Sequence, residues 1–192
     1  DFLISDSLKK NITTKGYIIP TPIQDKSIPN VLLGKDVVGI ANTGTGKTAA
    51  FLVPLVDKII KNPAEKVLII VPTRELAVQI ENELTTFVKG LSLYAVILIG
   101  GANIGRQLGG LRRRYNFVIG TPGRIKDMVE RRALNLSEFK TLVLDEADRM
   151  LDMGFIKDIR SMVSLLPPLR QTLFFSATFS REIEALIHEF LR

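Results

Sequence analysis

The sequence predicts an α/β fold in which a doubly wound, mostly parallel sheet carries helices on both faces. Short apolar segments alternate along the chain with longer segments whose apolar residues recur at helical spacing. Most of the short segments are apolar on both faces, as strands buried inside a parallel sheet are. Because strand–helix–strand crossovers are right-handed, repeating them builds one sheet between two layers of helices.

A helical preface is expected before the first strand, over 5–15 and 22–33, with Pro29 interrupting its second piece. Strands are expected over 36–41, 66–71, 94–99, 116–119, 141–145 and 172–175. Further helices are expected over 47–61 and 73–88, from Pro122 with Thr121 as its cap, near Phe155 and near Ser180.

Size and composition indicate one globular domain. The chain has 192 residues, of which 46% are hydrophobic and none is cysteine, so disulfides and thiolate metal sites are excluded. No apolar stretch approaches the roughly 18 residues of a transmembrane helix, and no secretory signal is present, so we expect a cytoplasmic protein without a membrane association. The first residue is Asp1 rather than Met, which suggests a fragment of a longer protein.

The charge balance favours a polyanionic partner without establishing one. Lys and Arg number 26 against 20 Asp and Glu, for a net charge of +6. A generic basic domain explains this balance equally well. The densest positive cluster, Arg112 to Arg114, is interpreted as a solvated face in preference to an RNA contact. The single histidine, His188, has no partner for a metal site and is placed on the surface of the last helix.

The segment ANTGTGKT at 41–48 predicts a phosphate-binding loop, since it follows a strand and opens a helix. Backbone N–H groups of such a loop bind phosphates, Lys47 reaches the terminal phosphates, and the Thr48 hydroxyl binds Mg²⁺. The usual pattern has Gly where this chain has Ala41, and the alternative is a simple glycine-rich turn. The residues expected to hold nucleotide here are Thr43, Gly44, Thr45, Gly46, Lys47 and Thr48.

The segment DEAD at 145–148 follows the apolar run 142–144 and supplies carboxylates at the end of a buried strand. Asp145 is the predicted second Mg²⁺ ligand, and Glu146 can accept a proton from an attacking water. Together with Lys47 they form the predicted catalytic set. A solvated acidic strand end is the alternative.

An ordered set of motifs resembles the first RecA-like domain of the DEAD-box RNA helicases. The motifs are GYIIPTPIQ at 16–24, ANTGTGKT at 41–48, PTRELAVQI at 72–80, Gly100 with Gly101, TPGR at 121–124, DEADRMLDMGF at 145–155 and SAT at 176–178. The resemblance implies that 1–34 is a preface with the adenine-recognition motif and 35–192 is the RecA-like P-loop NTPase core. It also implies that the family's second RecA-like domain is absent from this chain.

By this resemblance the nucleotide is ATP. Gln24 reads the adenine edge, to which a carboxamide offers one donor and one acceptor, and Tyr17 belongs to the pocket wall. An amide on a helix surface is the alternative for Gln24. The family's adenine-stacking aromatic lies further from Gln24 than Phe2 does, so Phe2 is not assigned that role.

The resemblance also implies contacts to an RNA backbone that do not depend on sequence. Each group follows a predicted strand, although each could simply start a helix or form a turn. The implied contacts are Thr73, Arg74, Gly100, Gly101, Thr121, Gly123 and Arg124. Ser176 and Thr178 match the motif that couples the nucleotide site to this surface, and their hydroxyls can bond Asp148.

The implied activity is ATP hydrolysis with Mg²⁺, coupled in the full-length protein to local unwinding of RNA duplexes. The second domain supplies arginine fingers, whose loss costs about 10³ to 10⁵ in rate in other phosphoryl-transfer enzymes. We therefore expect this domain, as a monomer, to bind nucleotide but to hydrolyse ATP negligibly. The alternatives are another P-loop NTPase, a non-catalytic RNA- or protein-binding module switched by nucleotide, and a purely structural domain.

Overall fold

A computed structural model describes residues 2–191. Within them, six parallel strands form one sheet with the order β1-β6-β5-β2-β4-β3. The predicted doubly wound sheet is confirmed, and every strand lies within one residue of its predicted bounds at each end. The strands are β1 (Val37–Ile40), β2 (Val67–Ile70), β3 (Ala95–Leu98), β4 (Phe117–Gly120), β5 (Thr141–Leu144) and β6 (Gln171–Ser176).

The helices divide between the two faces of the sheet in chain order. Those of the first half are α1 (Asp6–Thr14), α2 (Pro22–Leu32), α3 (Lys47–Lys61) and α4 (Arg74–Phe87). Those of the second half are α5 (Ile104–Leu111), α6 (Pro122–Glu130), α7 (Ala147–Asp152), α8 (Ile156–Val163) and α9 (Arg181–Phe190), with a short 3₁₀ turn at Leu136–Glu138.

Two apolar clusters cover the two faces. Alternate residues of a strand point to opposite sides, so on β2 Val67 and Ile69 join the cluster under α1 to α4. Leu68 and Ile70 join the cluster under α5 to α9. All four side chains are fully buried, which explains why the sequence of β2 is a continuous apolar run.

Four details of the helices differ from the sequence predictions. Pro29 does not interrupt α2, which continues to Leu32; Ile28 and Val31 are buried beside it, and this packing outweighs the one backbone hydrogen bond that proline cannot donate. Helix α5 was missed because its three glycines lower helix propensity, and α7 because it is only six residues long. Thr121 occupies the N-cap position of α6, but its side chain makes no capping hydrogen bond.

A buried carboxylate fastens the N-terminal segment to the core. The backbone N–H and hydroxyl of Ser5 donate to Asp57 Oδ1 at 2.7 and 2.6 Å, and Lys61 Nζ lies 2.7 Å from the other oxygen. Burial raises the pKa of Asp57, but hydrogen bonds from Lys61 and Ser5 outweigh burial and hold that pKa below its ordinary value.

The parallel sheet brings every predicted functional segment to one edge. The phosphate loop follows β1, and the segments that begin at Pro72, Gly100, Thr121 and Asp145 follow β2 to β5 in chain order. Ser176 ends β6. Ligands of doubly wound sheets bind at this carboxyl edge. Among the described helices, none has the length and apolar character that a membrane crossing requires.

Candidate nucleotide site and nucleic-acid groove

The phosphate loop leads into the N-terminus of α3 through left-handed backbone. Gly44 and Gly46 have φ values of 84° and 90°, and Gly46 is the N-cap residue of the helix. Glycine is required at 46 for a second reason: a Cβ there would lie 2.4 Å from Gln24 Nε2. The Thr45 hydroxyl donates to the Asn42 carbonyl at 2.7 Å and braces the turn. The loop thus presents the positive end of a 15-residue helix, as an anion site needs.

Lys47, the first residue of α3, carries a buried cation without a hydrogen-bond partner. Its side chain is 6% exposed, and Nζ has no acceptor among the described residues. Burying an ammonium group without acceptors is costly. A triphosphate in the loop would supply the missing acceptor oxygens, so the residues present fit such a ligand.

Asp145 is a buried carboxylate at the end of β5, 2% exposed. Burial raises its pKa to about 6, against the attraction of Lys47 and a hydrogen bond that the Glu146 N–H donates at 2.9 Å. The nearby carboxylates of Glu146 and Asp148 contribute to the same rise in the pKa of Asp145. A cation bound here would favour the ionised form, so Asp145 suits the predicted role of metal ligand.

Glu146 adopts a left-handed conformation, with φ 53° and ψ 49°, as the N-cap of α7. For a residue with a Cβ this conformation costs about 1–2 kcal/mol. Its carboxylate accepts a 3.4 Å hydrogen bond from Arg149. Strained residues of this kind cluster at functional sites, in agreement with the predicted role of Glu146.

Gln24 is 3% exposed, so the surface-amide alternative is wrong. Its Oε1 accepts from the Thr21 N–H at 3.0 Å, and its Nε2 donates to the Gly46 carbonyl at 3.1 Å. The predicted adenine-recognition motif is therefore hydrogen-bonded to the predicted phosphate loop. A carboxamide has two donors and two acceptor positions, so one of each is left for a base edge.

Tyr17 and Gln24 line one cavity of about 380 Å³, which Phe2 and Ile4 also border. The Tyr17 hydroxyl donates to Glu83 Oε1 at 2.8 Å. Burial, that hydrogen bond and the Glu83 charge raise the Tyr17 pKa to about 12, so the hydroxyl stays protonated. The hydroxyl is thus engaged by Glu83, while Tyr17 and Gln24 line the same cavity.

A second cavity, of about 510 Å³, brings the three predicted RNA-contact groups together. Met153 and Phe155 also line it; they lie at the end of the motif DEADRMLDMGF at 145–155, but they are not among the predicted RNA contacts. We name this cavity the nucleic-acid groove. Its lining is Pro72, Thr73, Arg74, Glu75, Gly100, Thr121, Gly123, Arg124, Met153 and Phe155.

Arg74 lies directly against the glycine turn that follows β3. A Cβ at Gly101 would lie 2.2 Å from Arg74 Nη1, and the φ of 75° at this residue favours glycine in any case. Gly101 itself does not line the groove. The Thr73 hydroxyl accepts from the Leu76 N–H at 3.2 Å and keeps its own proton to donate.

The second half of the groove is formed by the N-terminus of α6. The Thr121 hydroxyl makes no capping hydrogen bond to the helix. Arg124 Nη1 is buried without a hydrogen-bond partner among the described residues. The groove is therefore lined by the N-termini of α4 and α6, the free Thr121 hydroxyl and the guanidinium groups of Arg74 and Arg124. These are donors for phosphate oxygens and not a base-reading arrangement.

The loop after β6 is hydrogen-bonded to the DEAD segment. The N–H and hydroxyl of Thr178 both lie 3.1 Å from Asp148 Oδ2, so the expected hydrogen bond to Asp148 is present. Ser176 makes a different contact: its hydroxyl donates to the Thr178 carbonyl at 2.8 Å and fixes the turn. The SAT segment and the last residue of DEAD are therefore hydrogen-bonded to each other.

Thr48 and Asp145 are the predicted ligands of Mg²⁺. Among residues 2–191 no three His, Asp or Glu side chains cluster as an all-protein metal site would need. Magnesium carried by nucleotide phosphates needs one or two protein carboxylates, so this pair fits a metal that arrives with its nucleotide.

Comparison with known proteins agrees with this geometry. Residues 21–186 match the DEAD/DEAH box helicase family. The ATP-dependent RNA helicase CshA of Limosilactobacillus reuteri is 48% identical over 98% of this chain and 38% of its own length. The DEAD-box ATP-dependent RNA helicase CshA of Bacillus subtilis is 45% identical over 100% of this chain and 39% of its own. This chain thus spans about two fifths of these curated relatives.

Solved structures show the same fold. A DEAD box protein from the hyperthermophile Methanococcus jannaschii superposes with a TM-score of 0.94 at 40% identity, over 100% of this chain and 53% of that one. A hypothetical ATP-dependent RNA helicase from Sulfolobus tokodaii superposes with a TM-score of 0.89 at 34% identity, over 97% of this chain and 55% of that one. The RecA-like fold is therefore confirmed, and the chain belongs to the DEAD/DEAH box helicase family.

Proposed function

We propose that this chain is the ATP-binding domain of an ATP-dependent RNA helicase, in which ATP hydrolysis drives local separation of RNA duplexes. One observation carries the proposal: Lys47 holds a buried, unpartnered ammonium beside the buried carboxylate of Asp145, at the N-terminus of α3. The ammonium has no hydrogen-bond acceptor among the described residues, and a triphosphate bound with a cation would satisfy both groups.

The roles follow from the contacts of each group. Lys47 and the N–H groups of the loop bind the phosphates, while Thr48 and Asp145 would hold Mg²⁺. When bound, the metal would offset the charge of the phosphates. Glu146 orients the attacking water and accepts its proton, and its left-handed backbone keeps the carboxylate at the strand end. Gln24 selects adenine while it holds the loop through the Gly46 carbonyl.

RNA would occupy the nucleic-acid groove through its backbone. Arg74 and Arg124 pair with phosphates, and the helix N-termini beside them add N–H donors. The contact between Thr178 and Asp148 would couple the state of the bound nucleotide to the conformation of the nucleic-acid groove. We further propose a cytoplasmic location and a monomeric isolated domain.

The proposal includes a second RecA-like domain in the full-length protein, in line with relatives more than twice as long as this chain. Arginines from that domain would stabilise the transition state. The isolated domain should therefore bind ATP yet turn it over slower by about 10³-fold or more.

The test is an ATPase assay of the full-length protein with and without single-stranded RNA, beside this chain. The full-length protein should show RNA-stimulated turnover, and the chain should show almost none. Glu146→Gln in the full-length protein should abolish turnover and keep ATP binding. If RNA function survived without turnover, the module switched by nucleotide would replace the enzyme.

A further inference from the structure

A basic groove lies at the edge of the sheet opposite the candidate sites. Helices α5 and α6 begin at the carboxyl ends of β3 and β4 and run back, so their C-termini lie at the amino ends of the strands. There they enclose a cavity of about 580 Å³, which we name the arginine groove. Its lining is Leu108, Leu111, Arg112, Arg131, Arg132 and Ala133.

The floor of the arginine groove is apolar and its rim is cationic. Leu108, Leu111 and Ala133 are half-buried, whereas Arg112 and Arg132 are exposed. Within residues 2–191 neither of these arginines has a carboxylate within 4.0 Å, and neither do the adjacent, exposed Arg113 and Arg114. Arg131 lies 2.7 Å from Asp127. Arg112 and Arg132 therefore remain to be neutralised on the rim of the groove, and Arg113 and Arg114 follow Arg112 in the chain.

The backbone conformation at Arg132 suits glycine better than arginine, so the local structure does not need the arginine side chain. Its φ of 57° is left-handed, and the Arg132 and Ala133 N–H groups donate to the Val129 and Met128 carbonyls at 2.9 Å to close α6. Glycine is the usual residue at this position because it adopts the conformation without strain. The chain instead carries a long cation there.

We infer that the arginine groove docks an acidic peptide segment of a protein partner, with an apolar side chain on the leucine floor and carboxylates on the arginines. Charge complementarity supports this occupant, because guanidinium groups bind carboxylates through two parallel hydrogen bonds. The leucines have no donors for a phosphate but suit an apolar anchor.

The carboxylates between the two grooves favour a peptide in the arginine groove over RNA that extends there from the nucleic-acid groove. Arg124, in the nucleic-acid groove, and Arg131 lie at opposite ends of α6, and Asp127 pairs with both, at 3.7 and 2.7 Å. Glu130 is exposed between the same two positions. A phosphate backbone that ran from one groove to the other would therefore pass two carboxylates, which repel it.

The experiment measures fluorescence anisotropy of a fluorescein-labelled peptide that contains Glu-Glu-Leu-Glu-Glu-Leu, titrated with this chain at about 0.05 and 0.3 M salt. Arg112→Ala with Arg132→Ala should weaken peptide binding about tenfold at low salt. Lys10→Ala with Arg181→Ala removes the same charge from exposed sites elsewhere and should leave affinity within about twofold.

Arg132→Gly separates binding from stability. Glycine relieves the left-handed strain, so this variant should melt no lower than the wild type while it binds the peptide several-fold more weakly. A peptide with serine in place of leucine should also bind more weakly. Unchanged affinity in Arg132→Gly, or equal affinity for the serine peptide, would overturn the inference. So would loss of single-stranded RNA binding in the double variant without any peptide binding by the wild type.

Discussion

Replacing Asp145 by Asn should stabilise the nucleotide-free protein while it removes the proposed metal ligand. Asn has the shape of the protonated carboxyl, and its oxygen can still accept the Glu146 N–H. The gain arises because ionised Asp145 is buried, with a pKa of about 6 against 3.8 for the free group. That difference of about 2 units corresponds to roughly 3 kcal/mol at neutral pH, so we expect a gain of about 1–3 kcal/mol.

The sign and the pH window follow from proton linkage. Between about pH 4 and 6 the folded protein binds more protons at Asp145 than the unfolded chain does, so stability falls as pH rises through this range. The advantage of Asp145→Asn should therefore be full at about pH 7.5, about half as large at pH 5 and small near pH 4. Below the unfolded pKa both states are neutral and the advantage disappears.

Thermal melts of wild type and Asp145→Asn across this pH range are the assay. At 2–4 °C per kcal/mol for a domain of this size, the shift at about pH 7.5 should be roughly 2–12 °C. Asp152→Asn, at an exposed carboxylate nearby, is the matched control and should move the melting temperature little. A variant less stable than wild type at neutral pH, or an advantage independent of pH, would refute the reasoning.

Three further predictions rest on other contacts. Gly46→Ala should weaken nucleotide binding more than Gly44→Ala, since both residues have positive φ but only a Cβ at 46 meets Gln24; equal loss in a fluorescent-nucleotide titration would contradict this. Asp57→Asn should lower the unfolding free energy by about 1–3 kcal/mol in urea melts at neutral pH. Because the Asp57 pKa is lowered, that difference should shrink as pH falls below 3.8, and a constant difference would count against it. Thr178→Val in the full-length protein should keep nucleotide affinity but reduce the stimulation of ATPase turnover by RNA, and undiminished stimulation would exclude the coupling role.

Period and spacing in the sequence were enough to predict the sheet, because β2, β4, β5 and β6 are buried on both faces and appear in the sequence as apolar runs. The same signal failed for α5, where Gly105, Gly109 and Gly110 weaken helix propensity and packing on β3 decides the conformation. Pro29 was misjudged for the same reason: local propensity opposes helix there, and the buried neighbours Ile28 and Val31 override it.

Motifs located the candidate site residues, but their contacts could not be read from sequence. The bond between Gln24 and the Gly46 carbonyl joins segments 22 residues apart. The convergence of Arg112 with Arg132 depends on where two helices end, so a charge run that sequence favours as a solvated face borders a groove. Met153 and Phe155 line the nucleic-acid groove through tertiary packing that no local pattern encodes.

The most direct test of the nucleotide site is a titration of this chain with a fluorescent ADP analogue and Mg²⁺, beside Lys47→Ala. We predict saturable binding by the wild type, competed by ATP, and loss of that binding in the variant, because the buried Lys47 ammonium then has no replacement at the loop. Absence of binding by the wild type, or equal affinity of the two proteins, would contradict the account.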